Sequence, residues 1–218
     1  MPYVFTALTL VFAAIYAFTR SSATLSGRLF YKTAASVMFV LVAVSMRTGA
    51  DEPYYTLIVL GLCFALAGDV ILIFTDRKQG FLAGGMVCFL LTHLLYIIAF
   101  CTKTAPSLYD GAFFALLLIS AILILRKRRL PKGNLKTAAF IYAVVLCAMT
   151  ARALSMPFSP AVKFTYALFA ALGGVLFAVS DMLLAFKSFG GVHKKAVGVM
   201  STLTYYTGQI LIALSVLI

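Results

Sequence analysis

Two of the six acidic residues in this 218-residue chain stand where a carboxylate is costly. Asp69 is embedded in Ala67-Gly68-Asp69-Val70-Ile71-Leu72, and Asp181 in Val179-Ser180-Asp181-Met182-Leu183-Leu184. In mid-helix at a bilayer centre such a group costs about 2.5–3.5 kcal/mol, so it marks a functional site by default. The other four (Asp51, Glu52, Asp76, Asp110) fall in or beside breaks between apolar runs. Two aspartates close together at low dielectric do not both ionise comfortably, and one retains a proton near neutral pH. An acid then stands beside a base, which suits proton donation followed by activation of water. The structural alternative is a hydrogen bond between helices, or an ion pair with Lys32.

Other polar groups fall at related depths. Lys32 begins the second apolar run, and its alternative role is to snorkel to the interface. His93 and Tyr96 share a helix face at i, i+3. Tyr205, Tyr206 and Gln209 lie in the last run and Tyr142 in the sixth. Together they are expected to line a polar cavity built by the second, third, fourth, seventh and eighth runs; as packing residues they would instead bind helix to helix. No metal is expected: the two histidines, His93 and His193, are far apart, and no His-x-x-x-His or Cys-x-x-Cys spacing occurs. Gly-x-Ser-x-Gly is missing too, as is a glycine-rich phosphate loop.

The elements that must hold these groups follow from composition. The chain is 63% hydrophobic and 11% charged, far from the mix of about 25% charged residues that coats a soluble domain. Disorder and a disulfide scaffold are excluded, and Cys63, Cys88, Cys101 and Cys147 read as small buried hydrophobes. The expected fold class is all-α: a polytopic membrane protein, one transmembrane domain over residues 1–218. Eight apolar runs are long enough to cross a bilayer, roughly 3–18, 30–48, 54–74, 80–101, 109–125, 135–152, 161–186 and 196–218. The breaks carry turn residues or charge: Ser21-Ser22, Gly49 to Pro53, Asp76 to Gln79, Pro106, Pro131 to Asn134, Pro157 to Pro160 and Gly190-Gly191. The first run lacks the basic leader of a cleavable signal and is kept as a span. Tyr54, Tyr55 and Tyr109 are expected in the interfacial belt, and Gly80 and Gly84 at a close helix contact.

The net charge of +12 suggests nucleic acid, but its distribution argues against that partner, since the cations sit between spans. Fourteen of the 18 Lys and Arg residues fall on one side of an eight-span layout, around Arg20 to Lys32, Arg77-Lys78, Arg126 to Lys136 and Lys187 to Lys195. Only Arg47, Lys103, Arg152 and Lys163 fall on the other. The rich side is expected to be cytoplasmic, with both termini non-cytoplasmic, most simply in the cell membrane.

Gly61 to Phe74 aligned on Gly173 to Phe186 shares Gly, Asp, Leu and Phe at the same offsets. The shift is 112 residues, about half the chain and four spans. A parallel 4 + 4 duplication with halves 1–108 and 109–218 is expected. Both aspartates lie five residues before their run's end, roughly 7–8 Å inside the cytoplasmic boundary.

Several stretches resemble the YhhN-like lysoplasmalogenase family: Phe89 to Phe100 with His93 and Tyr96, Gly68-Asp69 with its apolar run, and Gly174 to Ala185 with Ser180-Asp181. Tyr205-Tyr206-Thr207-Gly208-Gln209 resembles the family's last-span motif, and Tyr142 with Met149 its sixth. Lys32 resembles the family's second-span lysine, although Thr33 stands where a proline is expected. The resemblance covers roughly residues 30 to 215. It implies a membrane hydrolase, needing no cofactor, that cleaves the vinyl ether of a lysoplasmalogen into a fatty aldehyde and glycerophospho-ethanolamine or -choline. Protonation of the vinyl ether's β carbon gives an oxocarbenium ion, so the reaction needs an acid and a counter-charge. Asp69 and Asp181 are the expected catalytic pair. Lys32, with Arg28, Arg77 or Lys78, is expected to hold the phosphate. His93, Tyr96, Tyr142, Ser180, Tyr205, Tyr206 and Gln209 complete the substrate site, and bilayer lipid is the other partner. The rival reading is a proton- or ion-coupled transporter. A third is a membrane scaffold without activity.

Overall fold

A computed structural model describes residues 1–78, 80–126, 134–188, 191 and 194–217. Gln79, Lys127 to Gly133, Phe189, Gly190, Val192, His193 and Ile218 lie outside it, and with them most of the Arg126 to Arg129 run. Among the described residues the fold is wholly helical: α1 (Pro2–Thr19), α2 (Leu25–Val44), α3 (Glu52–Ile73), α4 (Gly80–Lys103), α5 (Leu108–Arg126), α6 (Asn134–Ser155), α7 (Phe164–Ser188) and α8 (Lys195–Leu214). Seven are long and apolar enough to cross a membrane; the apolar stretch of α5, Leu108–Ile124, is shorter. This is a polytopic integral membrane protein.

Local chemistry sets the helix ends. Thr24 caps α2 by accepting from the Gly27 amide over 3.2 Å. The helix therefore begins five residues before the expected run and ends at Val44, which places Lys32 two turns inside it. Pro53 occupies the first turn of α3, where its missing N–H costs nothing. Gly49 makes the preceding turn at φ 88, a backbone region open to glycine.

Sequential helices pair as α1–α2, α3–α4, α5–α6 and α7–α8. Between pairs, α2 packs on α3 and α8, α6 on α4 and α7, and α1 on α8. Phe39, Tyr54, Ile58, Leu62, Phe100, Met149, Phe177, Tyr206 and Ile212 fill the centre.

Three expectations fail here. Tyr54 and Tyr55 are in the core, not the interfacial belt, and the Tyr54 hydroxyl pairs with Ser215 over 2.8 Å; only Tyr109 is outside, stacked on Phe158. Of the cysteines only Cys147 is buried, while Cys63 and Cys101 are exposed, because a weakly polar thiol suits a lipid-facing surface as well as a core. Gly80 faces open space; a Cβ on Gly84 would lie 3.4 Å from Ile71 of α3, and the tightest contact is at the neighbouring Gly85, where a Cβ would lie 2.4 Å from Leu72.

Candidate active site

Asp69 is buried, and three donors converge on it from two other helices. Lys32 Nζ on α2 lies 3.1 Å from Oδ1. On Oδ2, Ser36 of α2 donates over 2.6 Å and Tyr205 of α8 over 2.7 Å. Ser36 also bonds the Lys32 carbonyl, as does the Tyr206 hydroxyl over 3.1 Å. Lys32 therefore does not snorkel; its ammonium turns inward, with the Tyr16 ring 5.9 Å away. Serine at i+4 from Lys32 was the available signal for Ser36, which the sequence reading missed.

Asp181 has a different set. The Tyr142 hydroxyl of α6 donates a short hydrogen bond to its Oδ2, and His93 Nε2 of α4 lies 3.3 Å from the same oxygen. Nε2 is also 3.1 Å from the Tyr142 hydroxyl. The opposite ring nitrogen, Nδ1, is buried without a partner. A bare lone pair is a cheaper orphan there than an N–H, so the proton belongs on Nε2, toward the carboxylate. No hydrogen bond joins Asp69 to Asp181: each carboxylate is held separately.

Two cavities meet at this point. One of about 620 Å³ is lined by both aspartates and by Arg20, Arg28, Lys32, Lys187, Lys194 and Lys195. The other, about 680 Å³, is nearly all apolar and lies among α4, α5, α6 and α7. Asp181, Phe89, Leu72, Leu82, Leu184 and Ser188 line both. The Phe89 ring packs edge-on against Phe177 and Tyr205, with centroids 6.1 and 5.8 Å away. Arg20 was not anticipated; its guanidinium lies over Gly198, where a Cβ would meet it at 2.5 Å.

The structure brings Lys32, Asp69, Ser180, Asp181, Tyr205 and Tyr206 to the basic cavity and Tyr142 to the apolar one. Ser180 there bonds the Ser201 carbonyl of α8 over 2.8 Å. His93, Tyr96 and Gln209 line neither cavity. Tyr96 pairs with Gln209 over 2.9 Å in the packed interior, with the Tyr96 ring against Gly61. Arg77 turns to the Phe74 ring instead of the cavity. At the opposite end of the bundle, Asp110 pairs with Arg152 over 3.1 Å, so it is not the idle loop residue it resembled in sequence.

A bundle of apolar helices with an acidic centre between a basic and an apolar chamber defines a membrane protein whose site suits an amphiphile. The chain belongs to the YhhN family, whose model matches residues 27–216. It is similar to lysoplasmalogenase TMEM86A of Bos taurus, 33% identical over 167 residues, covering 75% of this chain and 66% of that protein. No solved structure matches it.

Proposed function

We propose that this protein is a membrane hydrolase that cleaves the vinyl ether of lysoplasmalogens, releasing a fatty aldehyde and a glycerophospho-alcohol. The observation that carries the reading is the position of Asp181, shared by a basic chamber fit for a phosphate and an apolar one fit for a hydrocarbon chain. A lysolipid is divided in the same way, with its ether bond at the boundary. Family membership and the named relative support the reaction class.

In this scheme Lys32, Arg20 and Arg28 attract the phosphate. Asp181 acts as the neutral carboxylic acid, with Tyr142 and His93 donating to its Oδ2, and the proton on its carboxyl passes to the β carbon. Asp69, fixed by Lys32, Ser36 and Tyr205, is the standing negative charge toward the oxocarbenium ion. Water adds to the α carbon, its proton returns to Asp181, and the hemiacetal collapses to aldehyde and glycerol hydroxyl. Both acids act, but in unlike roles.

We read all eight helices as spans, with both termini non-cytoplasmic, and the chain as two parallel four-helix halves. Contacts repeat at the 112-residue shift. Asp69 meets Tyr205 as Asp181 meets His93. Gly61 abuts Tyr96 as Gly173 abuts Gly208, and Gly68 abuts Phe89 as Ser180 meets Ser201.

The test is purified protein with a synthetic vinyl-ether lysolipid and its saturated-ether twin. Aldehyde from the first alone supports the hydrolase. Cleavage of neither overturns it and favours a transporter.

A further inference from the structure

We infer that the space between α4 and α5 is a lateral entrance, through which the single hydrocarbon chain of a lysolipid passes from the bilayer into the apolar cavity. The inference rests on the hydrolase reading above and specifies how its substrate arrives.

The two halves differ most at this place. In the first half α1 packs on α2 and also on α8, burying Thr9, Ala13 and Ala17. Its counterpart α5 packs on α6. Among the described residues it makes at most a point contact with α4 and buries no residue of its own. The seam that α1 closes on one side is open on the other.

The open seam leads to a prepared surface. Leu117, Ser120, Ala121 and Ile124 of α5 line the apolar cavity. Their spacing places them in one stripe of the helix, the stripe that ordinarily packs on a neighbour. Here it faces about 680 Å³ of space, opposite Ala143 and Leu146 of α6. An engineered apolar cavity of only about 150 Å³ takes up benzene, and a close-packed interior does not keep a larger one empty. The occupant is a flexible hydrocarbon chain, because the lining is apolar, α5 lies in lipid, and the space ends on Asp181 beside the basic chamber. A chain seated here brings the bond at its head to that carboxyl. The outer face of α5, with Leu116 62% and Ile119 57% exposed, remains lipid-facing.

The experiment compares long-chain and short-chain vinyl-ether lysolipids on Ala121→Trp and Ala143→Trp, which fill the cavity, and on Leu116→Trp, which does not. The long-to-short turnover ratio is expected to fall about tenfold or more in the first two and to stay within about twofold of wild type in the third. An unchanged ratio in both filled variants overturns the entrance. Should those variants be inactive on both substrates, a lysolipid carrying a photoreactive group in its chain decides with the wild-type protein. Adducts on the 117–124 stripe and on α6, displaced by unlabelled lysolipid but not by a two-chain phospholipid, support the inference. Adducts confined to outer residues such as Leu116 overturn it. If wild-type protein cleaves no vinyl ether, the hydrolase reading fails and the adduct map still judges the entrance.

Discussion

Tyr205 donates to Asp69 over 2.7 Å, and the residue 112 positions before Tyr205 is His93, which meets Asp181 at 3.3 Å. In the proposed reading of two four-helix halves, the acid of each half is held by the fourth helix of the other. One of these two positions carries a tyrosine and the other a histidine, so the two carboxylates have unlike partners. Asp69 also faces an ammonium; Asp181 faces groups that exchange protons. The proposed division of labour between the acids rests on that difference.

Asp181→Asn should abolish aldehyde release, by about 10²–10⁴-fold, with a modest loss of stability. Asp69→Asn should do both, because it strands the buried Lys32 charge, a defect worth about 3–5 kcal/mol. Adding Lys32→Met to Asp69→Asn should restore thermal stability in detergent without restoring turnover. Near-normal turnover in either single variant removes the mechanism.

Tyr142→Phe removes the short hydrogen bond to Asp181 and keeps the ring and its contact with His93, centroids 5.3 Å apart. Turnover should fall about 10²-fold, at the low end of general acid–base effects, with KM little changed and the fold intact. The split between kcat and KM is the readout. A rise in KM alone would make Tyr142 a binding residue.

The sequence exposed this site because a polar group in a membrane helix must find a partner. Asp69, Asp181, Lys32 and His93 stand out against apolar neighbours for that reason, and the ion pair of Lys32 with Asp69 is the structural alternative offered for the acids. Apolar and aromatic side chains carry no such signal. Lipid and core are alike to them, so Tyr54 and Tyr55 gave no sign of facing inward, nor Cys63 and Cys101 of facing outward. The separation of α5 from α4 has no local signature at all, since Leu117 and Ile124 resemble residues of any packed helix. Tyr96 and Gln209 show the converse: their polarity marked them, yet the Tyr96 hydroxyl donates to Gln209 away from either cavity.

Glycines give a prediction about packing. A Cβ on Gly173 would lie 2.8 Å from the Gly208 carbonyl, whereas one on Gly61 would meet the Tyr96 ring at 2.4 Å. Backbone cannot yield and a ring can. Gly173→Ala should therefore destabilise the detergent-solubilised protein by the upper part of about 1–3 kcal/mol. Gly61→Ala should cost less, by shifting Tyr96 away from Gln209. Gly111→Ala, with nothing within 4 Å, should be neutral or slightly stabilising in its helix. Comparison of the three melting temperatures checks the order, and equal losses at Gly173 and Gly111 would contradict the packing.

The lysines and arginines gather at the end where the basic cavity lies, with Arg20, Arg28, Lys187, Lys194 and Lys195 around it. The Met1 end of α1 and the Leu214 end of α8 are both at the far end of their helices from this cluster. The positive-inside rule then directs the cavity to the cytoplasm and both termini away from it. A fluorescent protein that matures only in the cytoplasm should stay dark on the C-terminus, and an alkaline phosphatase active only outside should be active there. The opposite pattern would turn the basic chamber outward, and phosphate-bearing substrate would then have to approach from the non-cytoplasmic leaflet.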